Sequence, residues 1–218
     1  HMIFTGNPGT GKTTIARILA KYLKAIGALR GGQLVEVTRA DLVGRYVGHT
    51  APLTNSVIQS ALGGVLFIDE AYALYRGGED SFGLEAIDTL VKGIEDHRDD
   101  LVVILAGYTK EMQLFLSANS GLASRFPNQI EFPDYSGEEL YKILCSIAKG
   151  KGYTLDDACK LPLVTYFDRK QVEDAATNGN GRMARNTLEK AILNQSKRLV
   201  ADPDASLELL LPGDFELE

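Results

Sequence analysis

The chain of 218 residues contains no tryptophan, two cysteines, three histidines and three methionines. Cys145 and Cys159 share neither metal-site nor redox-motif spacing, so nothing supports a disulfide framework, and a reducing, cytoplasmic setting fits. Cys145 falls in an apolar helical pattern and reads as a small buried hydrophobe. The histidines, His1, His49 and His97, are scattered and suggest no metal site. Long apolar runs are missing too: Leu101–Ala106 is far shorter than the roughly 20 residues that a membrane helix needs. The start reads as a strand with no basic flank or cleavage site, so no signal peptide is expected. Basic residues are outnumbered, 23 against 29 acidic, for a net charge of −6. That balance opposes a nucleic-acid binder that tracks the backbone with a basic face.

Glycine, by contrast, is placed with purpose. The apolar run Met2–Thr5 opens into Gly6-Asn7-Pro8-Gly9-Thr10-Gly11-Lys12-Thr13-Thr14, which is G-x-x-x-x-G-K-[ST] between a predicted strand and a predicted helix. Backbone N–H groups of such a loop turn inward around an anion, and the helix behind it points its positive end at the same place. In this pattern Lys12 reaches the β- and γ-phosphates of ATP, and the Thr13 hydroxyl sits on Mg²⁺. The plainer alternative is a glycine-rich turn that only caps a helix. The strand–loop–helix context argues against it.

Short apolar runs then alternate with helical periodicity to about residue 132, the pattern of a parallel sheet with helices on both faces. Strands are expected at 2–5, 34–37, 65–68, 101–105 and 129–132. In the first helix Ile15, Ile18, Leu19, Tyr22, Leu23 and Ile26 recur at 3–4 spacing as one apolar face, ended by Gly27 and Gly31-Gly32. Ser136-Gly137-Glu138-Glu139 has the form of a capping box opening a new helix, with further helices near 160–175 and over 183–200. Residues 207–211 read as a short terminal strand. The expected fold is therefore α/β, a phosphate-loop domain over 1–134 with a five-stranded parallel sheet, and a small helical lid over 135–218.

A second signature is Val65-Leu66-Phe67-Ile68-Asp69-Glu70, four hydrophobes ending in two carboxylates at the edge of a parallel sheet where ligands bind. Asp69 there suits the Mg²⁺ shell and Glu70 suits a general base for the attacking water. Alone the run could be a strand end with solvated acids; paired with the Lys12 loop it favours hydrolysis over binding.

Phosphate loop, Asp-Glu strand end and helical lid together resemble an AAA+ ATPase module. Asp41–Thr50 (DLVGRYVGHT), Gly64–Tyr72 (GVLFIDEAY) and Phe132-Pro133-Asp134-Tyr135 resemble the CbbX/CfxQ family more closely, which includes red-type Rubisco activases and stage V sporulation protein K. Gly179–Asn186 leans toward the sporulation branch. The resemblance covers nearly the whole chain and implies roles that spacing alone does not. Tyr46-Val47-Gly48 matches the pore loop with which AAA+ rings grip a polypeptide; an aromatic on a glycine-flanked loop offers a large, sequence-tolerant surface. Tyr46 as a packed core residue is the alternative. Arg76–Ser81 is a weaker candidate for a second pore-facing loop. Arg125 resembles the arginine finger that reaches a neighbouring subunit's γ-phosphate. Arg182 resembles the lid's sensor arginine, with Arg185 the competing candidate. Tyr108 stands where many AAA+ proteins place an asparagine that orients water, and a phenol can donate a similar hydrogen bond. A segment ahead of the first strand, covering the adenine base, is also implied.

The function expected from the resemblance is an ATP-driven homo-oligomeric ring, hexameric, that remodels a protein substrate by traction, with Rubisco as one candidate client. Two other classes compete: a nucleic-acid-linked loader or initiator, opposed by the acidic balance, and a scaffold that binds ATP with little turnover.

Overall fold

Short apolar runs, Met2–Phe4, Val65–Ile68 and Val102–Ala106, give the first part of the chain its central strands, while the edge strands at 34–37 and 128–131 carry fewer hydrophobes. The computed structural model describes all residues 1–218. Five strands, β1 (Met2–Thr5), β2 (Leu34–Val37), β3 (Val65–Ile68), β4 (Val102–Gly107) and β5 (Asn128–Glu131), form one sheet in the order β2-β3-β4-β1-β5. Every pairing is parallel. The connections carry α1 (Lys12–Ala25), α2 (Arg39–Leu42), α3 (Thr50–Ala61), α4 (Ser81–Asp96), α5 (Thr109–Ala118) and α6 (Ser120–Ala123). The side-chain period of two sorts the strands between two cores. Leu66, Ile68, Val103 and Leu105 face the cluster that holds α2 to α6, and Val65, Phe67, Ile104 and Ala106 face the cluster that holds α1. With both faces covered, all four residues of β3 are buried.

The five strands fall within two residues of the expected ranges. The first helix departs from its expected face. Its buried residues are Ala16 and Ala20, with Leu19 and Leu23 packed beside them, whereas Ile15, Ile18, Tyr22 and Ile26 are 45–57% exposed. A helix lying close on a sheet needs small side chains at the contact, and this displaces the larger ones to its flanks.

The chain folds as two compact units, His1–Gly6 with Gly11–Phe132, and Asn7–Thr10 with Pro133–Glu218. The second unit is helical: α7 (Gly137–Gly150), α8 (Lys160–Asp174) and α9 (Gly181–Ala201). The expected capping box opens α7, the Ser136 hydroxyl accepting from Glu139 N (3.2 Å) and the Glu139 carboxylate from Ser136 N (2.8 Å). Leu140, Leu144, Leu163, Phe167, Leu188 and Leu210 fill its core. The expected terminal strand contracts to β7 (Leu209–Leu210), which pairs in parallel with β6 (Thr154–Leu155), a strand too short to register in the sequence. Cys145, expected to be buried, is half-buried, and Cys159 is the buried cysteine. Burial pushes the Cys159 thiol up to about 11, so it stays protonated.

The end of this unit is locked by charge. Arg198 on α9 donates to the Asp214 carboxylate through Nε (2.9 Å) and Nη2 (3.0 Å), and Leu211 N donates to it as well (2.8 Å). Burial alone would raise the Asp214 pKa, but the Arg198 and Leu211 hydrogen bonds outweigh it and hold it below the usual carboxylate value. The stabilisation is therefore complete above the ordinary carboxylate pKa and is lost as pH falls through the lowered folded value. Asp214→Ala is expected to cost about 2 kcal/mol at neutral pH, measured by urea unfolding. A loss below about 0.5 kcal/mol, the level of an ordinary surface substitution, would refute the assignment.

Candidate functional site

The phosphate loop leaves β1 between two neighbouring strand ends. Gly6 N donates to the Gly107 carbonyl at the end of β4 (3.2 Å), and Phe132 N, just past β5, donates to the Thr5 carbonyl (2.7 Å). A Cβ on Gly6 would lie 2.3 Å from the Phe132 carbonyl oxygen, at a φ of +143°. No other residue fits there. The loop closes at Gly11, in the left-handed region with φ 95°, and α1 begins at Lys12 with no acidic residue in its first turn. The positive helix end is thus left for a bound anion. Lys12 Nζ donates to the Gly6 carbonyl (2.8 Å), which folds the ammonium back over the loop.

Asp69 and Glu70 follow β3 at the same carboxyl edge of the sheet. Asp69 is half-buried and its Oδ1 accepts from Glu70 N (3.0 Å). Glu70 is exposed and left-handed, φ 50° and ψ 46°, a conformation that costs a non-glycine residue of order 1 kcal/mol or more and recurs at functional sites. Directly after it comes a 3₁₀ turn over Ala71–Leu74. The arrangement fits Mg²⁺ by the chemistry of its donors, a hydroxyl on Thr13 and a carboxylate on Asp69, both hard oxygens. Mg²⁺ at such sites usually keeps several waters beside one or two carboxylates and the substrate's phosphates.

A residue overlooked in the sequence stands beside the acids. Tyr72, in the 3₁₀ turn, stacks on Tyr108 with ring centroids 5.9 Å apart and planes at 27°. Its ring covers Gly107, where a Cβ would meet two Tyr72 ring carbons and Met112 Sδ at 2.9 Å. Burial, then the charge of Glu70 with smaller contributions from Tyr108, Glu111 and Asp69, pushes the Tyr72 phenol up to about 12. It therefore remains a hydrogen-bond donor at neutral pH. The only sequence signal was an aromatic two residues beyond the acidic pair. The turn is held from behind by Arg39, which donates to the Ala73 carbonyl (2.8 Å) and to Asp80 (2.7 Å), with both side chains of the pair largely buried. Asp80 also caps α4. This gives Asp80 a structural role within the segment Arg76–Ser81, considered above as a second loop.

Tyr46 and Val47 are 68% and 88% exposed, which rules out Tyr46 as a core residue. The Tyr46 ring meets His49 edge-on at 5.5 Å, and Gly48 turns through φ +84° with open space around it. A pocket of about 550 Å³ opens beside the loop, walled by Val43, Tyr46, His49, Pro52 and Leu53. Arg125 follows α6 with its guanidinium on the Glu95 carboxylate and the Gly121 carbonyl, while its Nε is buried without a partner. Arg182 and Arg185 are both exposed on the first turns of α9.

Residues 2–134 match the family model described as the ATPase family associated with various cellular activities (AAA), and residues 136–218 match the AAA lid domain. Stage V sporulation protein K of Bacillus subtilis (strain 168) is 50% identical over 201 residues, covering 92% of this chain and 62% of that protein. Protein CbbX of Cereibacter sphaeroides is 47% identical over 209 residues, 95% of this chain and 67% of its own. The chloroplastic ribulose bisphosphate carboxylase/oxygenase activase of Cyanidioschyzon merolae is 46% identical over 208 residues, 95% and 70% respectively. The chain thus spans about three-fifths to seven-tenths of these relatives' lengths. Among solved structures, the FIGL-1 AAA domain in complex with ADP superposes with a TM-score of 0.66 at 19% identity, covering 98% of this chain and 68% of that one, a likeness of fold. Loop, strand-end acids and strand order define the class, a phosphate-loop ATPase module of the AAA type. The chain belongs to the CbbX/CfxQ family of AAA ATPases.

The close fit at Gly107 supplies a test. Gly107→Ala forces the added methyl against Tyr72 and Met112 and is expected to destabilise the protein by about 1–3 kcal/mol, as overpacking does. Gly107→Ala together with Tyr72→Ala should recover part of that loss in the same urea titration. A double variant that merely sums the two single losses would show that the methyl does not strike the ring.

Proposed function

We infer that this protein hydrolyses ATP in a homo-oligomeric ring, hexameric as the family resemblance implies, and uses the energy to pull on a protein substrate. One observation carries the reading: the Lys12 loop and the Asp69–Glu70 pair stand at the same carboxyl edge of one parallel sheet, where such sheets bind ligands. Residues 1–134 then form the nucleotide-binding body and 135–218 the lid.

Each residue acts by its own chemistry. The loop Gly6–Thr14 cradles the phosphates with backbone N–H groups beyond Gly6, whose own N–H is held by Gly107, and Lys12, released from the Gly6 carbonyl, neutralises the β- and γ-phosphates. Thr13 and Asp69 would hold Mg²⁺, which when bound offsets phosphate charge at the site of transfer. Glu70, exposed just past the end of β3, accepts a proton from the attacking water. The Tyr108 hydroxyl orients that water. Arg125 serves a neighbouring subunit's γ-phosphate after exchanging Glu95 for the phosphate, and Arg182 serves the nucleotide of its own chain. Tyr46, Val47 and Gly48 grip the polypeptide. The client is a protein, Rubisco being one candidate from the relatives' names, and the setting is cytoplasmic with no nucleic acid or membrane partner. No helix of the structure is long and apolar enough to cross a membrane.

Glu70→Gln is expected to keep ATP binding, followed by calorimetry, while steady-state hydrolysis falls by about 10²-fold or more. Native turnover in this variant would remove Glu70 from the chemistry. Tyr46→Ala is expected to reduce ATP-dependent capture of a fluorescently labelled unstructured polypeptide by about tenfold, since a buried aromatic contact dominates such binding. Undiminished capture would defeat the traction model.

A further inference from the structure

The most strained buried residue in the second unit is Asn180. Its backbone adopts φ 45° and ψ −112°, the first central position of a type II′ turn, a place glycine normally fills. Arg182 N closes that turn onto the Gly179 carbonyl (2.8 Å). Glycine stands on both sides, yet asparagine occupies the strained position and is wholly buried. Strain of this kind persists only where the surroundings over-determine it.

They do so through the amide, whose hydrogen-bonding capacity is fully used. Asn180 Oδ1 accepts from Tyr135 N (3.0 Å) and Gln171 Nε2 (2.7 Å). Nδ2 donates to Asp134 Oδ1 (3.0 Å) and to the Pro8 carbonyl (3.4 Å). Asp134 in turn accepts from Asn7 Nδ2 through Oδ1 (2.9 Å) and Oδ2 (3.1 Å). Beside this chain Gly181 N donates to the Gly9 carbonyl (2.8 Å), and the Tyr135 hydroxyl donates to the Thr10 carbonyl (2.8 Å). Asn7–Thr10 belongs to this unit, so the whole network is internal to it. The crown of the phosphate loop and the first turn of α9, which carries Arg182, thereby share one buried amide.

We propose that Asn180 is a positioning residue for nucleotide binding, which through Asp134 and Asn7 makes the crown of the phosphate loop and the first turn of α9 a single piece. The proposal rests on the nucleotide-binding reading of the loop. It explains why a residue that strains the turn is present: glycine would relax the backbone but remove the amide's ties to Asp134, Pro8, Tyr135 and Gln171, leaving the Gly181–Gly9 backbone bond to tie the two segments together. Binding affinity, rather than the chemical step, should carry its effect.

Steady-state ATP hydrolysis and calorimetric binding of ATP to the full chain, with thermal melting alongside, test it. Asn180→Gly relieves the strain but deprives Tyr135 N and Gln171 Nε2 of their acceptor, so its melting temperature should fall by only a few degrees, while KM and Kd for ATP increase about tenfold and kcat falls much less. A variant that binds ATP as tightly as the native protein, whatever its melting temperature, overturns the proposal. Asn180→Asp sets a second carboxylate against Asp134 and should weaken binding further. Adding Asp134→Asn to it exchanges donor and acceptor and should restore KM to within about threefold of native. A double variant no better than Asn180→Asp would also overturn the proposal. Failure of the unaltered protein to bind ATP would instead refute the nucleotide reading itself, and the proposal with it.

Discussion

The seating of Gly6 between the ends of β4 and β5 governs what the α/β unit presents at its carboxyl edge. Its N–H is held by the Gly107 carbonyl, and its missing Cβ lets the Phe132 carbonyl approach. The chain therefore leaves β1 in one direction only, and the loop, Lys12 and the start of α1 follow. The same Gly107 gives room to the Tyr72 ring, so two glycines at adjacent strand ends fix both the anion-binding loop and the aromatic pair beside the acids. Close backbone approach does here what no side chain could, because any added methyl would enter occupied space.

The polar groups of the protein are distributed in two distinct manners. Asp69, Glu70 and Lys12 are at least partly accessible, as groups that must meet a ligand have to be. Arg39 and Asp80 are paired largely out of solvent, Arg198 reaches in to the buried Asp214, and both pairs hold turns in place. Arg125 combines both characters, since its guanidinium is engaged by Glu95 of its own chain. A finger for a neighbour would have to trade one anion for another, which a phosphate group, accepting through two oxygens at once, can achieve.

Much of this was legible in the sequence where a local rule applied. The strands were readable because runs such as Val65–Ile68 are apolar on both faces and bounded by glycine or charge. The capping box at Ser136 was readable because its two partners lie three residues apart. The face of α1 was not, since spacing alone cannot reveal that Ala16 and Ala20, rather than the isoleucines, touch the sheet. Two-residue β6 carries too little pattern to stand out. Tyr72, the Glu95 partner of Arg125 and the role of Asn180 all depend on contacts between segments distant in the chain, and no window of neighbouring residues contains them. The loop of Tyr46 was legible from its glycines, and the exposure of the ring with it.

The pairing of β6 with β7 has a consequence for how the molecule comes into being. Leu210 and Phe215 belong to the core of the helical unit, and Asp214 anchors Arg198 from the same stretch. During synthesis the five-stranded sheet has all its strands once residue 131 emerges, whereas α7 and α8 must wait for residues 209–210 before β7 can reach β6. At ribosomal speeds of roughly 5–20 residues per second, that leaves a nascent helical segment with an uncovered apolar surface for several seconds. Among the parts of the newborn polypeptide, this one would gain most from a folding helper.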